Sequence, residues 1–125
     1  MENKFLLADC MNIETGLPSY PDKFFDLAIV DPPYGIGINH NMGRRSGDKK
    51  SQYAKIGWDN EPPTMEYFLE LQRVSKNQII WGANHFVERI ATPSPCWIVW
   101  DKGFSPDVTF AQCELAYTSF TSTQK

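Results

Sequence analysis

The sequence predicts an α/β fold, a mostly parallel sheet closed by an antiparallel strand at its C-terminal end. Short apolar runs recur along the chain at 5–8, 25–30, 78–81 and 96–100, the length and character of buried strands. Between the second and third of them, Met65, Phe68, Leu69, Leu71 and Val74 fall at helical spacing. The last segment, 112–120, alternates, with Cys113, Leu115 and Tyr117 on one face. Strands separated by helical segments favour parallel pairing, and adjacent strands late in the chain favour an antiparallel finish.

The first run, 5–8, closes on Asp9 and reads as a strand. Residues 12–17 suit a short helical turn before the breakers Pro18 and Pro21. Residues 25–30 form the second strand, ending at Asp31. From Gly35 to Pro63 the chain is polar, glycine-rich and without periodic pattern, and 39–63 reads as a flexible basic loop. Loops of that length in compact domains are lids, binding loops or disordered segments. Thr64 is an N-cap for the helix that follows. The strand at 78–81 stops at Gly82, a turn or short helix covers 84–90, and the strand at 96–100 stops at Asp101.

The chain has 125 residues, enough for one domain with a real core, and 42% of them are hydrophobic and 14% aromatic, which excludes a disordered or fibrous chain. A net charge of −3 gives no global nucleic-acid signal, although a local patch suffices for such binding. Three widely spaced cysteines make neither a disulfide framework nor a zinc motif, and no stretch spans a bilayer or makes a signal peptide. The expectation is a cytoplasmic protein with no membrane partner and no metal.

The stretch "DPPYG" poses the chemical question. In open α/β sheets, ligands sit beyond the carboxyl ends of the strands, so parallel strands ending at Asp9 and Asp31 would aim both carboxylates into one crevice. Asp is also a common turn residue, and Asp9 fits either role. Turn chemistry alone explains Asp31 poorly. The Pro32-Pro33 step fixes φ twice and holds Pro32 extended, which gives the Asp31 and Pro32 carbonyls a defined direction. A rigid carboxylate beside a rigid carbonyl makes a paired acceptor for an NH2 group, and the Tyr34 ring is a flat platform for stacking. Such a site recognises a planar molecule with an exocyclic amine. It can turn the nitrogen towards sp3 and aim its lone pair at an electrophile, by positioning alone.

"DPPYG" at a strand end resembles the signature of the amino-methyltransferases, which move a methyl group from S-adenosylmethionine to the exocyclic amine of adenine or cytosine in DNA. "LLADCMNIETGLPSYPDKFFDLAIVDPPYGIGI" looks like the opening of the permuted, beta-like DPPY group of bacterial and phage restriction-modification enzymes. "KNQIIWGANHF" and "CWIVWDKGFSPDVTFAQCELAYTSF" resemble its later strands, so the likeness spans nearly the whole chain. It implies a partial Rossmann-like methyltransferase sheet and DNA adenine-N6 methylation. Cytosine-N4 specificity, whose subgroup usually starts the motif with Ser, and a catalytically inactive nucleic-acid-binding remnant are the alternatives. Residue by residue, it implies that Asp31 and the Pro32 carbonyl accept the target amine, Pro33 stiffens the loop and Tyr34 stacks on the flipped base. Asp9 would lie at the adenine end of S-adenosylmethionine, and Asp31 and Pro32 near its methionine part.

In the loop, Arg44, Arg45, Lys49, Lys50 and Lys55 stand against one acid, Asp48. This patch suits contacts to DNA phosphates beside the site, or simply a solvated loop. Trp58-Asp59 resembles a pair that sits near the family's active site. His40 is placed to touch DNA, and His85 reads as structural. Asn84, Asp101 and Lys102 are placed to edge the crevice, while Cys96, Trp97 and Trp100 read as packing residues. One part of the family pattern is missing. The glycine-rich donor loop, resembling Asp-Pro-Phe-x-Gly-x-Gly, has no counterpart in 1–125. The resemblance therefore implies a partial catalytic domain whose Asp31 strand keeps an exposed apolar edge. The missing C-terminal half or a homo-oligomer is the partner expected there.

Overall fold

The computed structural model describes residues 3–34, 62–103 and 112–121. Four strands and one α-helix follow in the order β1 (Phe25–Val30), α1 (Met65–Val74), β2 (Ser75–Trp81), β3 (Trp97–Asp101) and β4 (Cys113–Thr118). The strands form one mixed sheet in the order β1-β2-β4-β3. β1 and β2 are parallel, with Ala28 opposite Gln78 and Val30 opposite Ile80. β4 runs against both its neighbours. Three strands thus share a direction and the last opposes them, as the sequence predicts. Because β4 lies between β2 and β3, two of the three ladders are antiparallel, so "mostly parallel" holds for strand direction and not for pairing.

α1 starts where Thr64 predicts: the Thr64 hydroxyl accepts from the Tyr67 N–H at 3.3 Å, satisfying one of the orphan donors of the first turn. The buried face is Tyr67, Phe68, Leu71 and Val74. Met65 and Leu69, predicted on that face, are about half exposed. Tyr67 takes their place because its ring meets Phe68 edge-on at 5.0 Å and both pack with Ile80, Ala83, Phe86, Ile90 and Tyr117.

The helix passes into β2 with no intervening residue. Its last carbonyls are satisfied from a distant segment. The Lys23 ammonium donates to the Gln72 and Ser75 carbonyls at 2.9 and 3.2 Å, and the Lys23 backbone N–H donates to Arg73 O at 2.8 Å. Lys23 adopts φ +56° to do so. Ser75 and Gln78 are buried, and they satisfy each other: Gln78 Nε2 donates to Ser75 O and Oγ at 3.0 and 2.9 Å.

Two expectations for the first segment change. Residues 5–8 are not a strand, and Phe5 and Leu7 are fully exposed. An apolar run becomes a strand only with a neighbour to pair with, and none of the described strands lies beside it. The turn before Pro18 is present, with Gly16 N–H donating to Asn12 O at 2.8 Å, and it continues into a 3-10 helix, Leu17–Ser19, that includes the proline. The segment predicted at 84–90 is two 3-10 helices, Ala83–His85 and Val87–Arg89. β1 has one neighbour among the described strands, which makes it an edge strand of the described sheet; its Leu27 and Ile29 project from one face and are 43% and 61% exposed. Among the described residues, no helix is long and apolar enough to cross a membrane.

Candidate active site

Strand direction brings the polar residues to one end of the sheet. The carboxyl ends of β1, β2 and β3 carry Asp31, Gly82 and Asp101, and antiparallel β4 begins there with Cys113 and Glu114. Asp31 is exposed, and Pro32 beside it is buried. The acid thus faces outward while the proline after it is anchored in the fold.

Tyr34 is the hinge of the arrangement. Its hydroxyl donates to Asp31 Oδ1 at 2.9 Å. Its ring lies against the backbone of Gly82, so closely that a Cβ on Gly82 would fall 2.0 Å from Tyr34 Cε1. Gly82 has φ +72°, where an L side chain is already disfavoured, so two separate constraints ask for glycine at this turn. The turn is tied down on both sides: Gly82 N–H donates to Leu115 O at 2.9 Å, and the His85 N–H donates to Gly82 O at 3.0 Å. The His85 imidazole lies on the Tyr34 ring, 4.9 Å between centroids and 20° between planes. Phe86, fully buried and stacked on Phe68 at 5.2 Å, approaches Tyr34 at 6.5 Å and links it to the core. Burial pushes the Tyr34 phenol well above its usual range, aided by the bond to Asp31 and by the charges of Asp31 and Glu114. The phenol is therefore a firm donor at neutral pH.

Asp9 belongs to none of the described strands. Its carboxylate accepts from the Met11 N–H at 2.9 Å and its carbonyl from Asn12 N–H at 3.0 Å. This is Asx-turn geometry, the turn role the sequence left open. Lys102 pairs with Glu114 and lies 5.3 Å from the Trp100 ring centre; Trp100 in turn meets Trp81 edge-on at 6.2 Å. Trp97 packs edge-on against Tyr117 at 5.8 Å. Arg44, Arg45, Lys49, Lys50 and Lys55, with His40 and Trp58, lie outside the described residues, as does the loop from 39 to 61. A separate hollow of about 320 Å³ lies at the amino end of β3, between Ile90, Pro93, Trp97 and Tyr117. It shares no lining residue with the Asp31 cluster.

Sequence reasoning brought forward Asp31, Pro32, Pro33 and Tyr34 and missed two of their supports. Gly82 was visible as a strand-ending glycine, but its clearance for Tyr34 depends on the parallel pairing of β1 with β2. His85, read as structural, does pack, and what it packs on is the tyrosine of the motif. A scan against family models finds no match for the chain, and neither does a search of curated proteins.

Proposed function

We propose that the chain carries the base-facing part of an enzyme that modifies an exocyclic amine. More particularly, it is an S-adenosylmethionine-dependent DNA methyltransferase acting on adenine N6, built on a partial Rossmann-like sheet. The observation that carries this reading is the exposed Asp31 carboxylate at the carboxyl end of β1, followed by a buried proline and a tyrosine ring seated on Gly82. In this reading the carboxylate and the Pro32 carbonyl each accept one amine hydrogen, and the Tyr34 ring supports the base. The amine nitrogen is held with its lone pair directed outward, which replaces solvent reorganisation by fixed dipoles. Asp31 is exposed, so the surplus amine proton has a path to water once the nitrogen is alkylated.

S-adenosylmethionine would supply an electrophilic methyl group on a sulfonium. Asp31 and Pro32 would flank its methionine part, and the Asp31 carboxylate suits an ammonium group there. Asp9 would face its adenine end, with one carboxylate oxygen already engaged by Met11 N–H. DNA is the partner in this proposal, and Arg44, Arg45, Lys49, Lys50 and Lys55 its phosphate contacts.

The test is transfer of labelled methyl from S-adenosylmethionine to DNA, followed by digestion and chromatography of the nucleosides. N6-methyladenine is the expected product, and Asp31→Ala lowers the rate by about 100-fold or more, as for loss of a principal transition-state contact. N4-methylcytosine would move the assignment to the other base. Salt-dependent DNA binding without any transfer would identify a nucleic-acid-binding remnant instead.

A further inference from the structure

The carboxylate that the proposed function assigns to the target amine already holds a donor. Tyr34 Oη donates to Asp31 Oδ1 at 2.9 Å. The ring cannot drift from this position freely, because the Gly82 backbone lies against it and His85 stacks on it at 4.9 Å. Phe86 stands behind at 6.5 Å. A tyrosine serving only as a stacking plate would need none of this aim at its hydroxyl end.

We propose that the Tyr34 phenol is a built-in gate on the amine site, held closed by the His85 stack, so that the site favours bases able to replace the phenol's hydrogen bond with their own. This rests on the reading of Asp31 as an amine acceptor. An incoming NH2 group gives the carboxylate a donor in exchange for the phenol O–H, and the freed hydroxyl turns to water at the exposed mouth. A base without an amine offers the exposed carboxylate no donor, so the phenol keeps its bond and the base binds without that contact. His85 acts as a positioning residue through Tyr34.

The probes are adenosine and purine riboside, which differ by the amine, titrated against the full chain by NMR. The wild-type chain binds adenosine about tenfold more tightly than purine riboside. Tyr34→Phe keeps the ring and removes the internal competitor, so it binds adenosine about three- to tenfold more tightly than wild type, the range of one net hydrogen bond, and leaves purine riboside unchanged. His85→Ala shifts adenosine in the same direction, and His85→Phe, which restores an aromatic stack, returns it to the wild-type value; a residue with a merely structural role would weaken binding instead. Equal binding of both nucleosides by every form overturns the amine-acceptor reading, and the gate with it. Amine discrimination that survives while Tyr34→Phe fails to tighten adenosine overturns the gate alone.

Discussion

Gly82→Ala tests the geometry at the centre of the site. The added Cβ would lie 2.0 Å from Tyr34 Cε1, 2.5 Å from Cζ and 2.6 Å from Cδ1. Carbon atoms rest about 3.5–4.0 Å apart, so the ring must retreat by about 1.5 Å or the β2 turn must open. Overpacking of this kind costs about 1–3 kcal/mol. The φ of +72° adds about 1–2 kcal/mol for any residue with a Cβ. The single substitution should therefore destabilise the chain by about 2–5 kcal/mol. In a Tyr34→Ala background the steric part disappears and only the backbone part, about 1–2 kcal/mol, remains. Urea unfolding of the four forms, followed by tryptophan fluorescence, gives the coupling energy directly, with Trp81 adjacent to the altered turn as reporter. A coupling of about 1–3 kcal/mol is expected. If Gly82→Ala costs the same with and without the tyrosine ring, Tyr34 does not sit on Gly82 and the site has been assembled wrongly.

Phe68→Ala should cost about 3–5 kcal/mol, since Phe68 is fully buried and its loss opens a cavity between Tyr67 and Phe86; a drop in the urea midpoint measures it, and a change under about 1 kcal/mol would contradict the assigned core. Alkaline stability offers a further check. Burial raises the phenols of Tyr34, Tyr67 and Tyr117 in the folded chain. Each favours folding fully while pH stays below the unfolded phenol value near 10, and the contribution is lost as pH rises from there through the folded value. Urea midpoints between pH 8 and 11.5 should fall more steeply for wild type than for Tyr67→Phe; parallel profiles would show that Tyr67 is not buried against the sheet.

What the sequence made legible was local. β1 occupies the residues its apolar run predicts, because a strand flanked by Lys23 and Pro32 has few other lengths available. Thr64 caps α1 because capping needs only the three residues after it. The failures are non-local. The run at 5–8 has a strand's composition, and composition carries no information on whether a neighbour is there to pair with. Met65 and Leu69 lost their places to Tyr67 because the sheet side of α1 is set by where Phe86 and Tyr117 arrive, 18 and 49 residues after Phe68 in the chain. The motif was readable as chemistry, since the rigidity of Pro-Pro is intrinsic to the ring. Its seating on Gly82 and His85 was not, since two strands had to be brought into register first.

The direct passage from α1 into β2 has a consequence for how this chain can vary in length. Side chains on a strand alternate between faces, so one residue inserted between Val74 and Ser75 would turn Gln78 and Ile80 outward and Ile79 and Trp81 inward. It would also carry the Gln72 and Ser75 carbonyls out of reach of a single lysine clamp. The junction is a splice without slack: the end of the helix sets the register of β2 directly, and a change of length there is felt by every pair of the β1–β2 ladder.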